Sequence, residues 1–334
     1  MENKLYDLVI IGGGPTGINV AITAKAAGLR TLILEKGVLV NSLYHFPTNM
    51  TFFSTSLNLE IANTPFISHS DKPTRREALE YYRRLQESFA LDIRTYEAVT
   101  GLHQLPDGNY RVESAKGRYQ TQAVVIATGY YDTPRLLGVP GEDLPKVKHY
   151  YDDAHPYIGQ KVLVIGAANS ACDVALETWQ KGAAEVTMVI RESEIYPKVK
   201  YWIRPNVENR IKEGSIKAYF NTTVQAIHPD RVDLLGPEGP FTLENDFVLA
   251  MTGYQPNYPL LEQLGVTFTQ GEDALPVYDP ETLETEQARV YIAGVVCAGR
   301  QTSKLFVENT RHHGQLIVNH LTAVLPRRKQ VSAN

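Results

Sequence analysis

Cysteine is almost missing: 334 residues hold two, Cys172 and Cys297. Two thiols cannot make a disulfide framework, and a reducing compartment fits that usage. Long apolar runs are also missing. The stretch from Val290 to Ala298 is too short to span a bilayer and is interrupted by Gly294. The first strand-like run starts at Leu5, which leaves no room for a signal peptide within this sequence. No sign of charge dominates, because the net charge is −4, so neither nucleic acid nor an anionic membrane is expected as a partner. The nine histidines form no HExxH or comparable ligand pattern, so no metal is expected. The expectation is a soluble, cytoplasmic protein with room for two domains.

What is present begins at once. Asp7–Ile11 is an apolar, β-branched run of the kind buried on both faces of a sheet. It leads into Gly12-Gly-Gly14-Pro15-Thr16-Gly17, a GxGxxG turn, and then into a helix over 18–27 that ends at Gly28. A second strand, Thr31–Leu34, ends at Glu35. Each residue type has a mechanical reason. Gly12 makes the tight turn, Gly14 lets a pyrophosphate approach the backbone, and Gly17 lets helix and strand pack closely. The helix N-terminus offers free N–H groups, and Glu35 accepts from a ribose diol, as FAD or NAD requires. The irregular segment 36–71 follows, with aromatics Tyr44, Phe46, Phe52 and Phe53. Thr74 and Glu77 spell a capping box for a helix whose Leu79, Tyr82, Leu85 and Phe89 form a core stripe. Turns at 106–109 and 116–117 predict a small meander. The strand 123–127 closes in Thr128-Gly129.

A second nucleotide unit starts at Lys161. It has a strand over 162–165, a turn Gly166-Ala-Ala168-Asn169-Ser170-Ala171, a helix over 172–181 and a returning strand over 186–190. Where a NAD site would carry an acid stands Arg191, whose guanidinium can pair with a 2′-phosphate; Lys198 and Lys200 can assist. NADPH is therefore expected here, with Gly166, Asn169, Ser170, Arg191 and Lys198 as its contacts. Short strands follow at 215–220, 223–227 and 231–235. The strand 246–250 then runs into Thr252-Gly253-Tyr254, repeating the earlier strand-then-Thr-Gly ending. The chain thus reads as two copies of one plan, an α/β protein with two Rossmann-like dinucleotide-binding domains. A strand over 289–294 and a helix over 303–321, capped by Thr302 or Ser303, complete it.

Four features in order, GxGxxG with Glu35, Ala127-Thr-Gly129, GAANSA with Arg191, and Tyr291-Ile-Ala-Gly294, resemble the thioredoxin reductase-like two-domain flavoproteins over essentially the whole chain. More narrowly, GGGPTG, Tyr44–Thr48 with Thr51–Ser54, ATGYYD, Ala154–Tyr157 and Phe306–Asn309 resemble the YpdA-type bacillithiol disulfide (bacilliredoxin) reductases. The resemblance implies an FAD domain in two pieces, 1–132 and 254–334, with an NADPH domain, 133–253, inserted between them. It implies FAD contacts from Gly12, Gly14, Pro15, Thr16, Gly17, Glu35, Lys36, Pro47, Phe53, Thr128, Gly129, Gly294 and Val307. It also implies a homodimer and reduction of a small disulfide or a small redox protein by NADPH through FAD.

Two departures bear on the acceptor. The redox CxxC of thioredoxin reductases is absent, and Thr16 stands where the YpdA-type proteins usually carry a cysteine. A hydroxyl cannot form a mixed disulfide. Cys297, close after Gly294, is the weak candidate for a substitute thiol, while Cys172 reads as a packing residue. His312 and His313 lie where related reductases can present an acid, and the loop aromatics can wall the flavin. The expected activity is NADPH-dependent reduction of a bacillithiol-type disulfide. The alternatives are a reductase passing electrons to a carrier such as ferredoxin, a flavin monooxygenase-like enzyme, and a redox-inert FAD protein.

Overall fold

A computed structural model describes residues 5–325. The chain forms two compact units. Among the described residues, one comprises 5–45, 49–133 and 254–325, and the other 46–48 and 134–253.

The first unit is built on the run that opens the sequence. Strand β1 (Leu5–Ile11) lies between β2 (Thr31–Leu34) and β6 (Arg118–Ile126), parallel to both, and Tyr6–Ile11 are all buried. A central parallel strand is covered on both faces, which is why this segment is continuously apolar rather than alternating. Beyond β2 lies the two-residue β3 (Ile93–Arg94). The meander of β4 (Val99–Gln104) and β5 (Tyr110–Ser114) pairs antiparallel onto the first half of β6, as its turn residues predict. The second half of β6 instead takes a parallel partner, Val290–Ile292. The helix Pro15–Ala26 is buried nearly all round, because the helix His313–Val324 covers the side that the sheet does not. Gly314 makes that approach possible: a side chain there would meet Thr23 Oγ1 at 3.1 Å.

The helix Arg75–Ser88 opens with the expected capping box. Thr74 accepts from the Glu77 N–H, and Glu77 accepts from the Thr74 N–H at 2.7 Å. Its buried stripe differs by a residue from the expected one: Ala78, Tyr81, Tyr82 and Leu85 are inside, while Leu79 and Phe89 are half-buried. Tyr81 enters the core because its hydroxyl has partners there, accepting from the Ile61 N–H and donating to the Thr64 carbonyl. The C-terminal helical region also differs. In place of one helix over 303–321 there are two, Val307–Thr310 and His313–Val324. Phe306 is extended, and Asn309 rather than Thr302 or Ser303 supplies the N-terminal cap, accepting from the Phe306 N–H at 2.7 Å.

The second unit holds a parallel sheet. Its order is Lys217–Tyr219, Glu185–Val189, Lys161–Ile165, Phe247–Ala250 and Val147–Lys148, with the helix Asn169–Gln180 following Lys161–Ile165. A separate antiparallel sheet joins Thr223–Ile227, Arg231–Gly236 and Gly239–Glu244. That third strand is not apparent in the sequence, where Pro237 and Pro240 read as loop. Gly236 pairs with Gly239, so Pro237 opens a two-residue turn. Pro240 sits on an edge strand, where a missing N–H is tolerated. Each unit has its own apolar core, gathered around Val9, Leu32, Val124 and Ile292 in the first and around Val164, Met188 and Leu249 in the second.

Candidate functional site

The GxGxxG turn sits where β1 gives way to the first helix. Gly12 has φ +112°, and a side chain on it would reach 2.5 Å from the Ala127 carbonyl oxygen. The turn is therefore pressed directly against Ala127-Thr128-Gly129, joining two features far apart in sequence. Gly14, the N-cap, is open to its surroundings, and a side chain there would meet nothing within 4 Å. No side chain caps the helix, and Pro15 removes one N–H, so the remaining first-turn N–H groups are available to a phosphate. Glu35 is 6% exposed. Its two carboxylate oxygens accept from Gly13 N–H at 2.7 Å and Gly37 N–H at 2.8 Å. Burial pushes its pKa up, and the Gly37 and Gly13 amides work against that. Each oxygen keeps a lone pair for a diol. The Thr128 hydroxyl oxygen is buried with no hydrogen-bond partner among the described residues. An open backbone cradle, a spare acceptor and an orphaned hydroxyl all suit FAD.

The other residues expected at FAD are distributed as follows. Thr16 lies against Gly294: a side chain on Gly294 would come 2.6 Å from Thr16 Oγ1. Gly129 lies beside the Val295 side chain. Val307 is half-buried on a short helix packed on the turn Gly294–Ala298. Lys36 pairs with Asp132 at 3.0 Å, and Phe53 is 36% exposed. Pro47 does not group with them, because residues 46–48 belong to the second unit, where the Thr48 N–H donates to the Asp152 carbonyl. A shallow hollow lined by Thr51, His69, Ser70, Asp71, Lys72, Thr74 and Glu77 contains none of the expected residues.

Neither cysteine is presented to solvent. Cys297 is 3% exposed within the first unit's core and Cys172 is wholly buried, and burial pushes both thiols up, Cys172 to about 12. A thiol so placed is not a nucleophile at neutral pH. His313 also has a different part from the acid that its position on the last helix leads one to expect. It is buried, and its Nδ1 accepts from the Gly294 N–H at 3.0 Å. Burial, then the neighbouring His312, lowers its pKa to about 4, so it is a neutral acceptor that fixes the backbone of the second motif. Doubled histidines gave a sign of it; the role needed the contact.

In the second unit the same device recurs. Gly166 has φ +130°, and a side chain there would meet the Met251 carbonyl at 2.6 Å. The helix beginning at Asn169 has Ala168 as its N-cap and no side-chain cap. Ser170 follows Asn169 in its first turn and is exposed. Asn169 uses its Oδ1 to accept from the Lys200 N–H at 3.0 Å. Arg191 is highly exposed just beyond Glu185–Val189, with its Nε 2.6 Å from Glu192. Lys198 is exposed on the loop that Asn169 ties down. Among the described residues no cluster of histidine, cysteine and acids is suited to a metal ion. No helix among them is long and apolar enough to cross a membrane.

Both glycine turns, Gly12 against Ala127 and Gly166 against Met251, lie within residues 9–294, which one family's model matches. The chain belongs to the pyridine nucleotide-disulphide oxidoreductases. Within that family it is 42% identical over 322 residues to bacilliredoxin reductase Bdr of Bacillus subtilis, covering 96% of this chain and 98% of the relative. The structure of the bacillithiol disulfide reductase Bdr (YpdA) from Staphylococcus aureus superposes with a TM-score of 0.92 at 40% identity, over 96% and 99% of the two chains. Thioredoxin reductase of Lactococcus lactis shares the fold, with a TM-score of 0.76 at 21% identity over 95% and 98%. The chain is thus an oxidoreductase of thioredoxin reductase-like fold in the Bdr branch, without a CxxC pair.

Proposed function

We propose that this chain binds FAD in its first unit and NADPH in its second, and reduces a low-molecular-weight disulfide of the bacillithiol type or a bacilliredoxin-linked one. The observation that carries the reading is the likeness to Bdr over 96% of the chain. The braced glycine turn in each unit supports it. FAD, when bound, supplies the two-electron relay between NADPH and the acceptor. The balance is one NADPH, one proton and one disulfide giving NADP⁺ and two thiols. The chain's own part is to bind and orient. Glu35 takes the ribose, the uncapped helix ends take the phosphates, Arg191 and Lys198 take the 2′-phosphate, and Thr128 offers a hydroxyl at the end of β6. His313 holds Gly294 in place. We further propose a homodimer.

One observation favours a second reading, in which a protein carrier such as ferredoxin takes the electrons. Thr16 has no thiol, and both cysteines are sealed in apolar surroundings. Anaerobic titration separates the two. On the first reading NADPH bleaches the yellow protein and oxidised bacillithiol restores its colour. Bleaching without recovery on adding either oxidised bacillithiol or a bacilliredoxin in mixed disulfide with bacillithiol sinks that reading and leaves the carrier. Failure of NADPH to bleach the protein sinks both.

A further inference from the structure

The loop between Glu185–Val189 and the helix Arg204–Lys212 is held against the second unit's glycine turn at two points. The Tyr196 N–H donates to the Ala167 carbonyl at 3.1 Å, and the Lys200 N–H donates to Asn169 Oδ1 at 3.0 Å. Ile195, Val199 and Ile203 bury at every fourth position, so the loop is an anchored wall of that turn. Its remaining side chains divide in two. Lys200 and Trp202 have other interactions, and Tyr201 packs edge-on against Trp202. Tyr196 and Lys198 do not: among the described residues the Tyr196 ring and hydroxyl have no hydrogen-bond or ring partner, and Lys198 has no ion pair. Tyr196 is 38% exposed, a large apolar face left beside a phosphate-binding turn with Arg191 at the adjoining strand end.

We infer that Tyr196 is the platform on which the adenine of the pyridine nucleotide stacks, with Lys198 and Arg191 taking the adjoining 2′-phosphate. The inference rests on the reading of the second unit as the NADPH unit. An aromatic side chain is the group that recognises a base by its face rather than by its edge. The backbone that carries the ring is already fixed to the turn by the Tyr196 N–H, so only side-chain rotation is lost when the base arrives. Because the ring reads only the base, its effect is common to NADPH and NADH, whereas that of Lys198 and Arg191 is confined to NADPH.

The test compares Tyr196→Ala and Tyr196→Phe in the holoenzyme, with two readouts. Calorimetric affinity for 2′-phospho-ADP-ribose, which has the adenine and no nicotinamide, falls about ten-fold in Tyr196→Ala and is restored in Tyr196→Phe. The KM for NADPH rises by the same factor at unchanged kcat, while kinetics with reduced nicotinamide mononucleotide, which lacks adenosine, do not move. Equal affinity in wild type and Tyr196→Ala overturns the inference, and so does an equal loss with the mononucleotide, which would mean that the loop had collapsed. Wild-type protein that binds NADH but not 2′-phospho-ADP-ribose removes the 2′-phosphate assignment; a rise in KM for NADH in Tyr196→Ala then still upholds the platform. Wild-type protein that binds neither nucleotide overturns the NADPH reading and the inference with it.

Discussion

At the scale of single residues, Thr16 and His313 meet at Gly294 from opposite ends of the chain. Thr16 lies against the Gly294 Cα, and His313 holds the Gly294 N–H. Thr16→Cys introduces a half-exposed thiol one residue into a helix N-terminus, a setting that lowers a thiol pKa. If a small disulfide is the acceptor, kcat/KM with oxidised bacillithiol rises about ten-fold or more, roughly 1.4 kcal/mol off the barrier. No change in turnover, with the thiol shown to be alkylated, favours the protein carrier. His313 predicts a pH effect on stability. Its pKa is about 4 folded against 6.5 unfolded, so between those values the unfolded chain binds more protons. The contribution is whole above pH 6.5 and is lost as pH falls toward 4. It is of order 3 kcal/mol over that window. His313→Asn can still accept the Gly294 N–H and does not titrate, so denaturant melts should show a flatter stability profile between pH 6.5 and 4. His313→Leu strands that N–H in the core and costs about 1–3 kcal/mol above pH 6.5, and that cost shrinks toward pH 4 as the wild type loses its own contribution.

At the scale of elements, the two strand–turn–helix units are the ones proposed to hold the nucleotides, and both are built on a glycine turn. Gly12→Ala drives a methyl group into the Ala127 carbonyl in a backbone region closed to alanine, so the first turn cannot form as it stands. The purified variant should be colourless, with normal far-UV dichroism from the second unit's sheet and helices. A yellow variant with wild-type FAD content would show that the close approach is dispensable. Arg191, just beyond Glu185–Val189, is the residue we propose for the coenzyme's 2′-phosphate. Arg191→Ala should raise the KM for NADPH about ten-fold, as expected for losing a charged hydrogen bond, and leave that for NADH unchanged. Equal effects on both coenzymes would confine Arg191 to its surface pair with Glu192. The elements themselves were largely legible, because buried parallel strands are continuous apolar runs and helix caps are local chemistry. The short antiparallel strand Gly239–Glu244 was not, because Pro237 before it and Pro240 within it are tolerated only at a turn and an edge that pairing defines.

At the scale of the whole molecule, each unit has a core of its own, so unfolding need not be a single all-or-none event. In calorimetry, added FAD should raise one transition and 2′-phospho-ADP-ribose the other, each by the mass action of a ligand on the unit that binds it. One transition moved equally by both ligands would mean that the units melt as one.

The amino-acid sequence by itself determined the two strand–turn–helix units and their order, because strand burial, turn geometry and helix capping act over a few residues. It also excluded a CxxC relay, because its two cysteines, Cys172 and Cys297, are far apart in the chain. Only the tertiary structure decided the rest. It joined Gly12 to Ala127 and Thr16 to Gly294, buried both cysteines, turned His313 from a candidate acid into a neutral acceptor, and placed Pro47 with the second unit. Those outcomes depend on what the folded chain brings beside each group, and a side chain's exposure, pKa and partners are set by neighbours distant in sequence.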